Sequence, residues 1–275
     1  MSAPTQQAWL AAHPYLEAIA KLQRAIDEAG AAGNGAGVAE PRWDAYAPDF
    51  ARGVPLLHSA AAGFDPAPAA ADALRRIVDR LAATELPEAL AAEVRAVRDR
   101  FQASPDAPLH TVRALASGTE GEEVSPAVLG YLGWAALQHA LAPVLSAYAK
   151  WRADDQWDRP ICPTCGTAPV LAQLVEEGAG RRRLLSCGRC HTKWGWKRVA
   201  CPFCTTEVPE KLGYLDIEGE GGFRIDICDN CKGYVKTYAG EGNDAFMLAD
   251  WTTLHLDVLA RDRGYERKGA SLYEL

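Results

Sequence analysis

The sequence predicts a mainly α protein with a small β part: an N-terminal α-helical domain, two tandem four-cysteine modules, and a C-terminal helix. Three observations predict it. Alanine supplies 41 of the first 158 residues but only 9 of the remaining 117, a strong helical bias confined to the first part. All eight cysteines fall between Cys162 and Cys231. Apolar residues recur at helical spacing before residue 158 and alternate in short runs after it.

In the helical part, Trp9, Leu10, Leu16, Ile19, Leu22 and Ile26 form one stripe, with Pro14 as a start or kink. A Gly/Pro-containing connection from Gly30 to about Pro66 follows, aromatic enough (Trp43, Tyr46, Phe50, Phe64) to pack on the helices. Two helices are predicted over about Pro68 to Ala83 and Pro87 to Ala103, the first with Leu74, Ile77, Val78 and Leu81 on one face. A shorter one is expected near Pro108 to Ser117. Ser125 and Pro126 read as an N-cap and a first-turn proline opening the longest apolar helix, Val128 to Leu145, which Pro143 kinks or splits. A bundle over roughly residues 5–152 buries these stripes. Beyond the cysteines, Asp250 to Arg263 reads as a terminal helix stopped by Gly264. The expected divisions are residues 1–158, 159–198, 199–240 and 241–275.

At 48% hydrophobic and 24% charged residues, the balance is that of a globular chain. The richest apolar run, Leu137 to Ala149, contains Gln138, His139 and Ser146, so no membrane span of ~18 apolar residues is expected. The first residues lack a basic region followed by an apolar core, and a cytoplasmic location is expected. A net charge of −7 argues against a general nucleic-acid binder. The first cysteine module is basic, with eight Lys+Arg against two acids over residues 159–198. Its Arg181-Arg182-Arg183 run has no interleaved aromatics and reads as a solvated hairpin tip, so nucleic acid is not the expected partner.

The chemistry lies in four Cys-x-x-Cys pairs: Cys162/Cys165, Cys187/Cys190, Cys201/Cys204 and Cys228/Cys231, separated by 21, 10 and 23 residues. Cys162 to Cys201 is a step of 39 and Cys187 to Cys228 a step of 41, so one unit of about 40 residues is used twice. Two sulfurs three positions apart can both ligate one ion when the backbone makes a tight knuckle, and a second knuckle completes a tetrahedral set. The repeat pairs them sequentially: Cys162, Cys165, Cys187 and Cys190 in one site, Cys201, Cys204, Cys228 and Cys231 in the other. Interleaved pairing is the alternative. Zinc ribbons and rubredoxin-like iron sites both use such pairs, so two metal ions, iron or zinc, are expected. Only Cys165 is followed by the glycine of a full knuckle; His191, Thr205 and Lys232 stand in the equivalent places. His191 is a candidate substitute ligand, although the four-thiolate set is complete without it. Trp194, Trp196, Tyr234 and Tyr238 read as lids on the sites and ribbons, and His139 and His255 as packed or surface side chains. There is no phosphate loop, Ser/His/Asp set or paired carboxylate cleft, so no enzyme activity is expected.

These pairs, with Gly213-Tyr-Leu-Asp-Ile, Asp226 through Lys236, and Asp250 through Asp257, closely resemble the FdhE-type formate dehydrogenase accessory proteins. The resemblance implies a non-enzymatic cytoplasmic maturation factor with a helical domain and two rubredoxin-like modules. It also implies a partner, the catalytic subunit of a formate dehydrogenase, bound before export and assembly. The metal sites would serve as scaffold and, with iron, as a redox element. A second copy of the chain is a further candidate partner. Two other readings rest on the residues alone: a rubredoxin-like electron carrier, and a zinc-ribbon protein that binds nucleic acid.

Overall fold

Proline sets the first boundary. In the computed structural model, which describes residues 4–33, 37–119, 124, 127–153, 156–220, 222–240, 242 and 244–273, α1 spans Gln6–Ala12 and is capped by Thr5. Pro14 then opens a 3₁₀ turn, Pro14–Leu16, that runs into α2, Glu17–Ala31. Proline therefore starts a new turn rather than bending a continuous helix. The chain forms two compact units, Ala18–Arg152 and Met1–Glu17 together with Ala153–Leu275.

The first of these is helical. The aromatic connection contains α3, Trp43–Ala51, a helix the sequence does not announce because Pro48 lies inside it. Tyr46 and Phe50 are buried; Trp43 stacks on Tyr148 with 5.7 Å between centroids, and the Tyr46 and Tyr148 hydroxyls lie 3.1 Å apart. The next three helices fall where expected: α4, Ala67–Ala82, α5, Glu88–Ala103, and α6, Ala107–Ser117. Leu74, Ile77, Val78 and Leu81 are all buried, and α4 packs on α5, α6 and α7. The last of these, α7, runs unbroken from Ala127 to Trp151 with Pro143 inside it. The proline does not split it; the capping expected of Ser125 and Pro126 lies outside the described residues. By length and composition α7 could cross a membrane, but 56% of its most apolar window is buried, as in the core helix of a bundle. Gly133 permits the close crossing with α6: a Cβ there would stand 2.3 Å from Leu115 Cδ1.

The other unit is built on one seven-stranded sheet. Strands β1 (Leu171–Glu177), β2 (Gly180–Ser186) and β3 (Lys193–Trp196) form an antiparallel set. Strands β4 (Leu212–Asp216), β5 (Phe223–Cys228) and β6 (Gly233–Tyr238) repeat it. The two sets join where β1 pairs in parallel with β6, Leu171 opposite Lys236 and Gln173 opposite Tyr238. The 40-residue repeat of the sequence is thus a structural repeat whose halves share a continuous sheet. A short helix α8, Asp244–Met247, a 3₁₀ turn, Asp250–Thr253, and α9, Leu254–Asp262, follow. Gly264, at φ +82°, ends α9 as expected, and β7, Glu266–Arg267, pairs with β6.

The arginine run departs from the expectation of a solvated tip. Arg182 lies 3.7 Å from Glu177 at the hairpin end. Arg183 is buried and donates 2.9 Å to the carbonyl of Ala200.

Candidate metal centres

Three of the Cys-x-x-Cys pairs lie in tight turns held by the same backbone hydrogen bonds. In the first knuckle, Cys162 N–H donates to Thr167 O and Gly166 N–H to Cys162 O, both at 2.9 Å. The knuckle between β2 and β3 repeats this with Cys187 to Thr192 O and His191 to Cys187 O, at 3.0 and 3.2 Å. The knuckle before β4 does so with Cys201 to Thr206 O and Thr205 to Cys201 O, both at 2.9 Å. The closing position is left-handed in all four pairs: Gly166 at φ +77°, His191 at +59°, Thr205 at +57° and Lys232 at +59°. Glycine occupies one of these, yet the other three adopt the same conformation at a cost of ~1–2 kcal/mol each. The closed turn aims amides at sulfur: Thr164 and Phe203 N–H each lie 3.4 Å from the Sγ of Cys162 and Cys201.

The knuckles bring the sulfurs together in two groups, Cys162, Cys165, Cys187, Cys190 and Cys201, Cys204, Cys228, Cys231, with the atoms of each group within 4.8 Å of one another. In the first, Cys162–Cys190, Cys165–Cys187 and Cys165–Cys190 stand 3.5, 3.4 and 3.7 Å apart. In the second, Cys201–Cys231 and Cys204–Cys228 are at 3.6 and 3.7 Å. A disulfide needs about 2.05 Å, and all eight cysteines are free. A tetrahedral ion with metal–sulfur bonds of ~2.3 Å would set its ligands ~3.8 Å apart, close to the spacings seen. Each group fits one tetrahedral cation; thiolates suit zinc and iron alike.

The two environments differ. The first group is wholly buried, and the hydroxyls of Thr164 and Thr192, 2.8 Å apart, tie its knuckles together. In the second, Cys204 and Cys231 are half-buried. Without a cation, burial and the neighbouring thiols push Cys162 well above the usual thiol range. Burial pushes Cys187 the same way, but hydrogen bonds from Cys162, Cys165 and Cys190 hold it well below. At Cys204 burial is outweighed by hydrogen bonds, from Asn230 Nδ2 first and then from the Thr206 backbone, Cys231 and Cys201, and the thiol falls to about 6. A cleft of about 240 Å³ adjoins the second group, lined among others by Phe203, Tyr214, Arg224 and Tyr234.

Of the other residues singled out, His191 is exposed and outside both sulfur groups. Trp194 is buried and donates 3.2 Å to Arg159 O, and Tyr238 packs on Phe223 at 5.0 Å. Tyr234 donates 2.7 Å to Asp257. That contact belongs to a buried charge network no spacing rule reveals. Lys236 Nζ, on central strand β6, lies 2.6 Å from Asp250 Oδ1 and 2.9 Å from Asp257 Oδ2. Arg267 also pairs with both carboxylates. The network fastens the 3₁₀ turn and α9 to the sheet behind the second knuckle pair.

The fold and two four-sulfur groups define a chain of the knuckle type with two places that could each hold a metal ion. Residues 161–198 match the family described as "FdhE, central domain" and residues 199–273 that described as "FdhE, C-terminal domain". Together the two matches cover residues 161–273, the C-terminal part of the chain. A "Protein FdhE homolog" of Stutzerimonas stutzeri is 34% identical over 163 residues, covering 58% of this chain and 52% of that protein. One from Pseudomonas aeruginosa is 32% identical over 169 residues, covering 58% and 53%. The chain thus spans about half the length of these curated relatives. The crystal structure of the FdhE protein from Pseudomonas aeruginosa shares the fold, with a TM-score of 0.66 at 24% identity over 94% of this chain and 88% of that one.

Proposed function

We propose that the chain is a cytoplasmic accessory factor that binds the catalytic subunit of a formate dehydrogenase and assists its assembly before export. The eight cysteines act as ligands to two ions, iron or zinc, and the ribbons they stiffen serve as the docking scaffold. Residues 1–158 supply the helical part, 159–198 and 199–240 the metal modules, and 241–275 the terminal helix that braces the second module. The observation that carries this reading is the tandem match to the FdhE central and C-terminal domains with both four-sulfur groups intact. It is supported by the unequal shielding of the groups: the first is closed, as in a structural staple, and the second borders a cleft.

The test is affinity capture of the full chain from its native host under anaerobic conditions, with metal analysis of the same sample. Recovery of a formate dehydrogenase large subunit at near-stoichiometric yield, with two ions per chain in the four-thiolate sites, is expected. Capture that repeatedly lacks that subunit, or a metal-free chain that captures it equally well, overturns the reading.

A further inference from the structure

Apart from the sulfur groups, three candidate ligands converge among the described residues: His13 after α1, Glu220 in the β4–β5 turn, and His255 in the first turn of α9. All belong to the unit that contains the sheet. Their ligating atoms lie within 4.8 Å of one another. His13 Nε2 is 3.4 Å, and His255 Nε2 2.8 Å, from Glu220 Oε2. The imidazoles stack with 4.8 Å between centroids. An ion held at ~2.0–2.1 Å by nitrogen and oxygen in tetrahedral geometry sets its donors ~3.3–3.4 Å apart, so small side-chain adjustments admit one. The three side chains are 10–17% exposed, so the cluster is partly open to solvent.

One hydrogen bond orients the His13 ring as a ligand would need. His13 Nδ1 lies 2.9 Å from the carbonyl of Trp9, which can only accept, so Nδ1 carries the proton. Nε2, the ring's other nitrogen, is thereby aimed at Glu220, where an ion could lie between them. Metal-bound imidazoles commonly donate their other N–H to a backbone carbonyl in this way.

We propose that His13, Glu220 and His255 form a third metal site that takes a divalent first-row transition ion, with water completing its coordination. The site is free of sulfur and independent of the four-thiolate reading. It fastens the N-terminal segment to α9 beside the hydrogen bond from Trp9 Nε1 to Thr252 O.

The test uses the full untagged chain preloaded with two equivalents of zinc, enough for the four-thiolate sites alone, and titrated with Co²⁺. One further equivalent is expected to bind with visible d–d absorption and without the sulfur-to-cobalt charge-transfer band that a four-thiolate site would give. His13→Asn and Glu220→Gln should each weaken that equivalent at least ~10-fold. Wild-type protein that takes up no sulfur-free equivalent overturns the proposal, as does an equivalent that both variants retain unchanged. The wild-type titration decides the matter even where a variant fails to fold.

Discussion

Replacing Lys236 with methionine tests the network behind the second knuckle pair. The side chain is 1% exposed, and Asp250 and Asp257 are each 3% exposed. In the native protein Lys236 and Arg267 balance these two carboxylates. Methionine keeps the apolar stem but leaves two buried anions facing one guanidinium. Breaking a buried pair from one side costs about 3–5 kcal/mol, because the remaining charge loses its partner while staying out of water. Against a typical stability of about 5–15 kcal/mol, this lowers the unfolding midpoint of the unit by roughly 10–15 °C. Thermal and urea unfolding, followed by near-UV circular dichroism, measures it. Adding Asp250→Asn to Lys236→Met removes the surplus anion, so the double variant should be more stable than the sum of the singles predicts. Strict additivity, or a loss below about 1 kcal/mol for Lys236→Met, refutes the argument. The pH dependence has a definite sign. Burial would raise the Asp250 carboxyl, but Lys236 and Arg267 hold it below the usual aspartate range. Its contribution is therefore complete above the ordinary aspartate value near pH 4 and lost as the pH falls through the lowered one.

Other outcomes follow from the same geometry. Cys162→Ser should reduce thiolate-bound metal from two ions to one per chain, whereas Cys228→Ser should empty the other site; metal analysis after gel filtration reads both. Chelator treatment should unfold the sheet-containing unit well before the helical one, since ligation supplies much of a small ribbon's stability, as tryptophan fluorescence and far-UV circular dichroism would show. Thr205→Gly relieves a β-branched residue at φ +57° and should stabilise by about 0.5–1 kcal/mol after the entropy glycine adds to the unfolded chain; no gain in urea midpoint would contradict the knuckle account. Gly133→Val should cost about 1–3 kcal/mol by forcing α6 and Leu115 outward, again measured by urea unfolding.

Much of this architecture is legible before any coordinates. The face of α4 declares itself because Leu74, Ile77, Val78 and Leu81 recur with the helical period, and their burial follows from that geometry alone. The two sulfur groups are legible because a Cys-x-x-Cys knuckle is a local structure repeated at a fixed interval. Helix α3 is not, since Pro48 and flanking glycines signal a loop while the aromatic contacts that stabilise it come from α7, about 100 residues on. Strand β6 is hidden for a related reason. Gly-Tyr-Val-Lys-Thr-Tyr is buried at every position, so it shows no alternation, and its lysine reads as surface until Asp250 and Asp257 fold back over it. The left-handed turns at His191, Thr205 and Lys232 carry no glycine to mark them; there the closing of each knuckle overrides local preference. His13 and Glu220 stand in no motif, being 207 residues apart.

Trp9 and Thr252, joined by a hydrogen bond, are 243 residues apart in the chain. On the ribosome, the opening segment therefore emerges long before its resting place exists, and the entire helical unit is made in between. Closing so long a loop is entropically dear and slow, so docking of this segment should be the last folding event. Until then Trp9 and His13 lack the partners, Thr252 and Glu220, that the finished fold gives them.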